Sequence, residues 1–325
     1  MKKLLSVLLV SILLIGCSED RVLSEELSKK GENYYFESKL FNGIKFNIYD
    51  NGQLRYERKY KDGKKDGLSE GWYDNGQLEY ETKYINGKKD GLHKSWYYNG
   101  QLSREIYHKN DKEDGLWKEW YPNGQLHHEK SYKDGEKDGL HKSWFKNGQL
   151  FQYENYKNGN MDGEHKRYNE NGQLSSEKNY KNDYWDGSHK TWWDNGKLQS
   201  EKNYKNGTKD GEHKEYNENG ELRNYTQYKN GFNGLYKEWD HNGQLIEENN
   251  NWDGLHKSWY YNGQLRHETK YKNGEKEGLE RSWYEYGQLR SEENWKDGER
   301  DGLQKSWYEN GQLESERNYK DGYRK

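Results

Sequence analysis

The sequence predicts an all-β protein. It reads as an elongated array of antiparallel β-hairpins, forming one continuous, twisted, single-layer meander sheet with a 24-residue period. Three observations carry this. The motif N-G-Q-L recurs, with glycines at 52, 76, 100, 124, 148, 172, 196, 220, 243, 263, 287 and 311. Short segments of alternating polar and apolar character flank each copy. The composition suits a thin sheet rather than a thick aliphatic core: 29% hydrophobic, 34% charged, with 31 Tyr, 14 Trp, 36 Gly and one Pro among 325 residues.

Residues 4–15 (LLSVLLVSILLI) follow Lys2 and Lys3. A short apolar run behind a basic start reads as a secretory signal, too short to span a bilayer. It ends in Leu14-Ile15-Gly16-Cys17, and Cys17 is the only cysteine. This resembles the lipobox of bacterial lipoproteins. The resemblance implies that residues 1–16 are removed and that Cys17 carries the lipid. Such an anchor tethers a protein to a membrane without spanning it. Ser18 follows, where an Asp would imply inner-membrane retention, so a host with two membranes is expected to hold the protein at the outer one. With Cys17 lipidated, no thiol remains for disulfides, catalysis or zinc.

Residues 17–32 are polar and read as a tether, with a short helix expected near residues 25–30. Residues 33–50 read as a degenerate capping hairpin, rich in Phe36, Phe41, Phe46, Ile44 and Ile48. Residues 51–325 form the repeat array, with an irregularity at 228–254 where two intervals shorten.

One clean unit is DGLHKSWYYNGQLRHETKYKNGEK, residues 253–276. Asn262-Gly263 is a favoured two-residue hairpin turn, since both central residues need positive φ. That turn sets Lys257 opposite Glu268. The same frame pairs Lys94 with Glu105, Lys118 with Glu129, Lys166 with Glu177, and Lys190 with Glu201. It also pairs Lys237 with Glu248, Arg281 with Glu292, and Lys305 with Glu316. Each pair contributes about 0.2–1 kcal/mol, and a one-residue slip would break them all. Tyr153 and Tyr225 stand in for Glu in two hairpins, and Glu70 faces Glu81 in another.

Alternation places His256, Ser258, Tyr260, Leu265, His267, Thr269 and Tyr271 on one face. Leu255, Lys257, Trp259, Arg266, Glu268 and Lys270 fall on the other. Tyr260 is expected opposite Leu265, as Tyr97 is opposite Leu102 and Tyr73 opposite Leu78. Both faces carry aromatics among polar groups, so both are expected to be wet. Polar, glycine-rich segments such as residues 133–139 connect the hairpins. About 24 strands at roughly 4.8 Å spacing would extend on the order of 110 Å, stabilised by neighbour contacts. The last strand is an edge, and Glu314, Glu316, Arg317 and Lys320 would discourage edge-to-edge aggregation.

KNGEKEGLERSWYEYGQL and its copies resemble the bacterial variant of the MORN repeat, including YwqK-like proteins. Tyr, an N-G turn, a second Gly after a basic stretch and another aromatic strand carry the resemblance, over roughly residues 43–323. The unit here is slightly longer than usual for that family. The resemblance implies a β-hairpin array with a scaffold or interaction role. Some bacterial members carry an antitoxin label, and others a lipid-kinase name that this chain has no catalytic domain to support.

His93, His141, His165, His189, His213 and His256 share one repeat position. Equivalent positions lie two strands, about 9–10 Å, apart, too far to share a metal at about 2.0–2.1 Å. A polar ladder is the expected reading. His127 and His128 are expected on opposite strand faces. Turns such as Asp62-Gly63 and Asp66-Gly67 lack the bidentate Glu of a calcium loop. No G-x-x-x-x-G-K-[ST], G-x-S-x-G or H-E-x-x-H occurs. The sequence therefore predicts no catalytic residue, no metal site and no cofactor. The slightly acidic balance, formal charge −3, argues against nucleic-acid binding. The binding candidate is the aromatic ladder Trp72, Trp96, Trp120, Trp144, Trp192, Trp239, Trp259, Trp283 and Trp307.

The function expected is a non-catalytic, lipid-anchored scaffold at the bacterial cell envelope, partnering a protein. The alternatives are a wall- or surface-glycan module using the Trp and Tyr ladders, or an antitoxin component with an adjacent toxin gene and a cytoplasmic pool.

Overall fold

A computed structural model describes residues 20–250 and 253–325. The predicted leader and Cys17 lie outside the described residues. The chain divides into two units, residues 1–125 and 126–325.

In the first unit, Gly43–Ile48, Leu54–Lys61, Lys64–Trp72, Leu78–Ile85, Lys88–Trp96, Leu102–Lys109 and Lys112–Trp120 pair in chain order, each antiparallel to the next. From residue 20 onward, the segment expected as a polar tether is built into the fold. Arg21–Leu23 adds a parallel strand beside Gly43–Ile48. A short 3-10 turn, Ser24–Glu26, follows. Ser28–Lys30 then joins Asn33–Phe36 and Lys39–Leu40 in a separate three-stranded sheet. The cap is thus not one hairpin over residues 33–50. Apolar burial explains the difference: Val22, Phe41 and Tyr60 form a core with Leu27, Tyr34 and Phe36 packed against it. Val22 and Leu27 draw the preceding segment onto the sheet.

In the second unit the same meander runs from Leu126–Lys133 to Leu313–Lys320, as antiparallel pairs of neighbours. Pairing continues through the irregular stretch. Glu248 stands opposite Lys237 on one side and Lys257 on the other. The final strand is partly covered by Tyr323–Arg324.

The charge frame read from the sequence is present in both units. Lys94 reaches Glu105 at 3.6 Å, and Lys166 reaches Glu177 at 3.4 Å. Lys190–Glu201, Lys237–Glu248, Lys257–Glu268, Arg281–Glu292 and Lys305–Glu316 lie at 2.9–3.3 Å. The structure adds pairing between hairpins. Glu105 also faces Lys118, Glu177 faces Lys190, and Glu292 faces Lys305. Glu105, Glu177 and Glu292 thus each sit between two cations.

Two kinds of turn alternate, and their assignment differs from expectation. At Asn273-Gly274 both residues have positive φ, 52° and 83°, the primed two-residue geometry. At Asn262-Gly263 only the glycine does, at 87°. The Gly263 amide donates to the Tyr260 carbonyl and the Tyr260 amide to the Gln264 carbonyl, both at 2.9 Å. This is a three-residue loop closed by a glycine bulge. The extra residue is absorbed at Arg266, where the pairing shifts. Leu265 therefore stands opposite Trp259 rather than Tyr260. Likewise Leu78 faces Trp72 and Leu102 faces Trp96. Asn serves this turn through its side chain. Asn262 Oδ1 accepts from the Gln264 amide at 3.0 Å, and Nδ2 donates to the Glu285 carbonyl of the next repeat at 2.8 Å.

Candidate functional site

The two faces of the sheet are unequal, where both were expected to be wet. Beyond the cap, nearly every buried side chain lies on the His256/Thr269 face. In the first unit these are Tyr60, Ser69, Thr82, Ile106 and His108. In the second they include His141, Ser143, Tyr156, His165, Ser200, His213 and Thr269. Strands stand only about 4.8 Å apart, so wide rings lean over their neighbours and shield the small hydroxyls.

The histidine ladder belongs to this face. His141 lies between Tyr132 and Tyr156, with ring centroids 5.5 and 4.6 Å away. His213 lies between Tyr204 and Tyr228, at 5.3 and 4.5 Å. Several imidazoles also have a local hydrogen-bond partner. His141 Nε2 and His213 Nε2 bond the Ser131 and Asn203 carbonyls at 2.8 Å, and His93 Nδ1 meets Thr82 Oγ1 at 2.7 Å. Interleaved tyrosines give these histidines structural duty. Burial, with nearby lysines, pushes His93 and His189 down to about 4. His108, His141, His165 and His213 are lowered for the same first reason, burial. They are neutral at pH 7. His127 and His128 differ from expectation, with ring centroids only 3.7 Å apart. His127 occupies the position that is bulged in neighbouring hairpins, and a bulge brings consecutive side chains together.

Lysines cover the tyrosine rings of this face. Lys65 lies 4.5 Å above Tyr84, Lys137 4.4 Å above Tyr156, and Lys209 4.6 Å above Tyr228. Near the cap, a pocket of about 490 Å³ gathers Lys29, Arg58, Lys64 and Lys65 with Tyr34 and Tyr60. Burial first, then Arg58, Lys89, Lys45 and Lys29, bring the Lys65 ammonium down to about 8. At Glu280 burial would raise the carboxyl, but hydrogen bonds from His267 and Lys276 outweigh it and hold the group down to about 2.

The opposite face carries the charge ladder, the tryptophans and a row of leucines. All nine ladder tryptophans are half-buried. Those paired in the structure stand opposite the motif leucine, as Trp192 does Leu198, Trp239 Leu245 and Trp307 Leu313. The adjacent tyrosine is also tied down. Tyr49, Tyr73 and Tyr97 donate their hydroxyls to the carbonyls of Trp72, Trp96 and Trp120 in the next repeat, at 2.7–2.8 Å. The leucines are more open: Leu68, Leu92 and Leu116 are 43%, 38% and 51% exposed.

A family profile described as the MORN repeat variant matches twelve segments: 41–62, 65–86, 89–110, 113–134, 137–158, 161–182, 185–206, 209–230, 232–250, 252–273, 276–297 and 300–321. The chain belongs to the MORN repeat family. MORN repeats make it a repeat protein involved in binding or interaction, in a family that is generally non-catalytic. No curated protein matches the chain. Among solved structures, one described as the crystal structure of TcdB2-TccC3 is similar at 12% identity and a TM-score of 0.18. That match covers 86% of this chain, which spans only 18% of the other.

Within the MORN frame, two functional features escaped the sequence reading. The first is the turn-capping Asp, as where Asp66 and Asp90 accept from the Asn86 and Asn110 amides of the following turn at 3.0 and 3.3 Å. The second is an aromatic pocket in the second unit, lined by Trp185, Trp193, Tyr204 and Tyr216. Its signal was available. Trp193 fills a position that holds other residues in every other repeat, and only here does it join a Trp at the Trp185 position, which otherwise holds Trp only at Trp252.

Proposed function

We propose that this MORN repeat protein is a non-catalytic scaffold at the bacterial cell envelope, moored by a lipid on Cys17, and that it engages a partner protein. The observation that supports this is the open leucine row. Leu68, Leu92 and Leu116 recur at one repeat position, and Tyr107, opposite Leu92, is 48% exposed. Equivalent positions stand roughly 9–10 Å apart. Repeated exposed apolar groups are the usual mark of a partner surface. The neighbouring Lys–Glu ladder supplies register, because a partner with alternating charges docks at one phase and is repelled at the next.

The test places a photo-crosslinking amino acid at position 92 or 116 in the intact protein, in its native envelope. A discrete adduct from these positions, absent when the probe replaces Lys320 at the far end, is expected. Its loss in Leu92→Asp/Leu116→Asp with an unchanged melt would tie it to the leucine row. No adduct from either position would overturn the reading. Labelling with a fatty-acid analogue tests the anchor, and Cys17→Ser should abolish it.

A further inference from the structure

We propose that the pocket between Trp185 and Trp193 is a binding site for a neutral saccharide. It is built from three consecutive strands of the second unit, Tyr184–Trp192, Leu198–Lys205 and Thr208–Tyr216. Its volume is about 510 Å³, inside the usual range for small-ligand sites of roughly 300–1,000 Å³.

The pocket joins two tryptophans that no other repeat carries together. The Trp185 position holds a cation in six other repeats, as Lys65, Lys89, Lys137, Lys209, Lys276 and Arg300, and Trp in one, Trp252, whose repeat has Tyr260 in place of Trp193. The Trp193 position is Tyr in Tyr49, Tyr73, Tyr97, Tyr121, Tyr260, Tyr284 and Tyr308, and elsewhere Phe, Asn or Asp. Both changes fall in one repeat and line one cavity. A structural ladder repeats, whereas a site is singular.

The aromatic walls are fixed in advance. Trp193 Nε1 donates to the Tyr216 carbonyl at 3.2 Å, the bond that tyrosine makes in other repeats. The indole therefore keeps the structural duty and adds a larger face. Trp185 is braced edge-on by His189 and Tyr204, at 5.0 and 4.9 Å between centroids. Rigid rings bind with little loss of side-chain entropy.

The polar groups suit hydroxyls. Lys202 and Glu215 form an ion pair at 2.7 Å that also lines the cavity. Together they offer donors and an acceptor with no net charge. His189 Nδ1 is buried without a hydrogen-bond partner. A pyranose presents a ring face of C–H groups that stacks on the electron-rich face of an indole, and a rim of hydroxyls that both donate and accept. A neutral ring matches this inventory, and an acidic one would meet Glu215.

The experiment titrates the full chain with neutral trisaccharides of glucose, of galactose and of N-acetylglucosamine, reading tryptophan fluorescence and calorimetry. Saturable binding of at least one is expected. The variants Trp185→Lys and Trp193→Tyr restore residues that other repeats already carry, so both should fold. Each is expected to weaken binding about tenfold or more, while Trp259→Tyr, a ladder change elsewhere, leaves it unaltered. Absence of saturation up to about 1 mM for every sugar, or equal binding by Trp185→Lys/Trp193→Tyr with an unchanged melt, would overturn the proposal. So would preference for an acidic sugar of the same size. The outcome is independent of the leucine-row crosslinks.

Discussion

The hydroxyl of Tyr97 donates to the backbone carbonyl of Trp120, 23 residues further along the chain, at 2.7 Å. Tyr73 makes the same bond to Trp96, and Tyr260 and Tyr284 repeat it in the second unit to Trp283 and Trp307. In the repeats that carry it, this tyrosine therefore fastens its turn to the next. Tyr97→Phe keeps the ring and removes only this bond, and should cost about 1 kcal/mol. Urea unfolding measures it, and an unchanged midpoint would mean that water replaces the bond without loss.

The charge ladder predicts a sign-dependent effect. Glu105 lies between Lys94 and Lys118. Glu105→Lys would set three cations side by side and should destabilise by about 1 kcal/mol, recovered in part by high salt. Glu81 already faces Glu70, and burial and Glu81 together raise the Glu70 carboxyl. Glu81→Lys should place unlike charges at that pair, although it also faces Lys94. Its net effect should be smaller than that of Glu105→Lys. Chemical denaturation at two salt concentrations separates the two variants.

Acid should destabilise the fold before its carboxylates titrate. The buried histidines hold their folded values below the ordinary 6.5, with His93 and His189 near 4. The unfolded chain therefore binds protons first as pH falls through 6.5. Stability present above that value is lost progressively towards 4. Thermal midpoints should drop between pH 7 and pH 4.5. His189→Gln should flatten that slope, and a pH-independent midpoint over this range would contradict the burial.

Gly71 tests close packing on the buried face. A Cβ there would stand 2.3 Å from Cε1 of Tyr80, and that ring's hydroxyl accepts from Arg58 Nη2 at 3.1 Å. Gly71→Ala should cost about 1–3 kcal/mol. Gly71→Ala combined with Tyr80→Ser should recover part of that cost, since Ser is the residue at the equivalent positions 176, 200, 291 and 315. Comparing the single and double variants by calorimetry checks the contact.

Much of this was legible in the sequence, because repetition multiplies weak signals. One Asn-Gly or one Lys–Glu pair says little, but the same frame in eight hairpins reveals the pairing of Lys257 with Glu268 and its counterparts. The turn was misread for a physical reason: Asn-Gly suits a two-residue loop, yet also a bulged three-residue one in which Asn bonds through its side chain. The wetness of the faces was misjudged because His, Ser and Thr look polar in isolation. On a narrow strand spacing they are covered by Tyr rings. The ordered segment from Arg21 to Lys30 was obscured by its charges, which hid the anchoring role of Val22 and Leu27. The aromatic pocket is hidden in the sequence by the nine recurring tryptophans, among which the one repeat that carries Trp185 and Trp193 together does not stand out.

The alternation of sign along the ladder has a consequence for how such a chain can change over generations. A regular repeat contributes one cationic and one anionic rung, so duplicating or deleting such a copy among its like leaves the junctions attractive. Removing a lone strand instead abuts like charges. Copy number can therefore drift in whole steps without any compensating substitution, and the gene carries a built-in unit of growth.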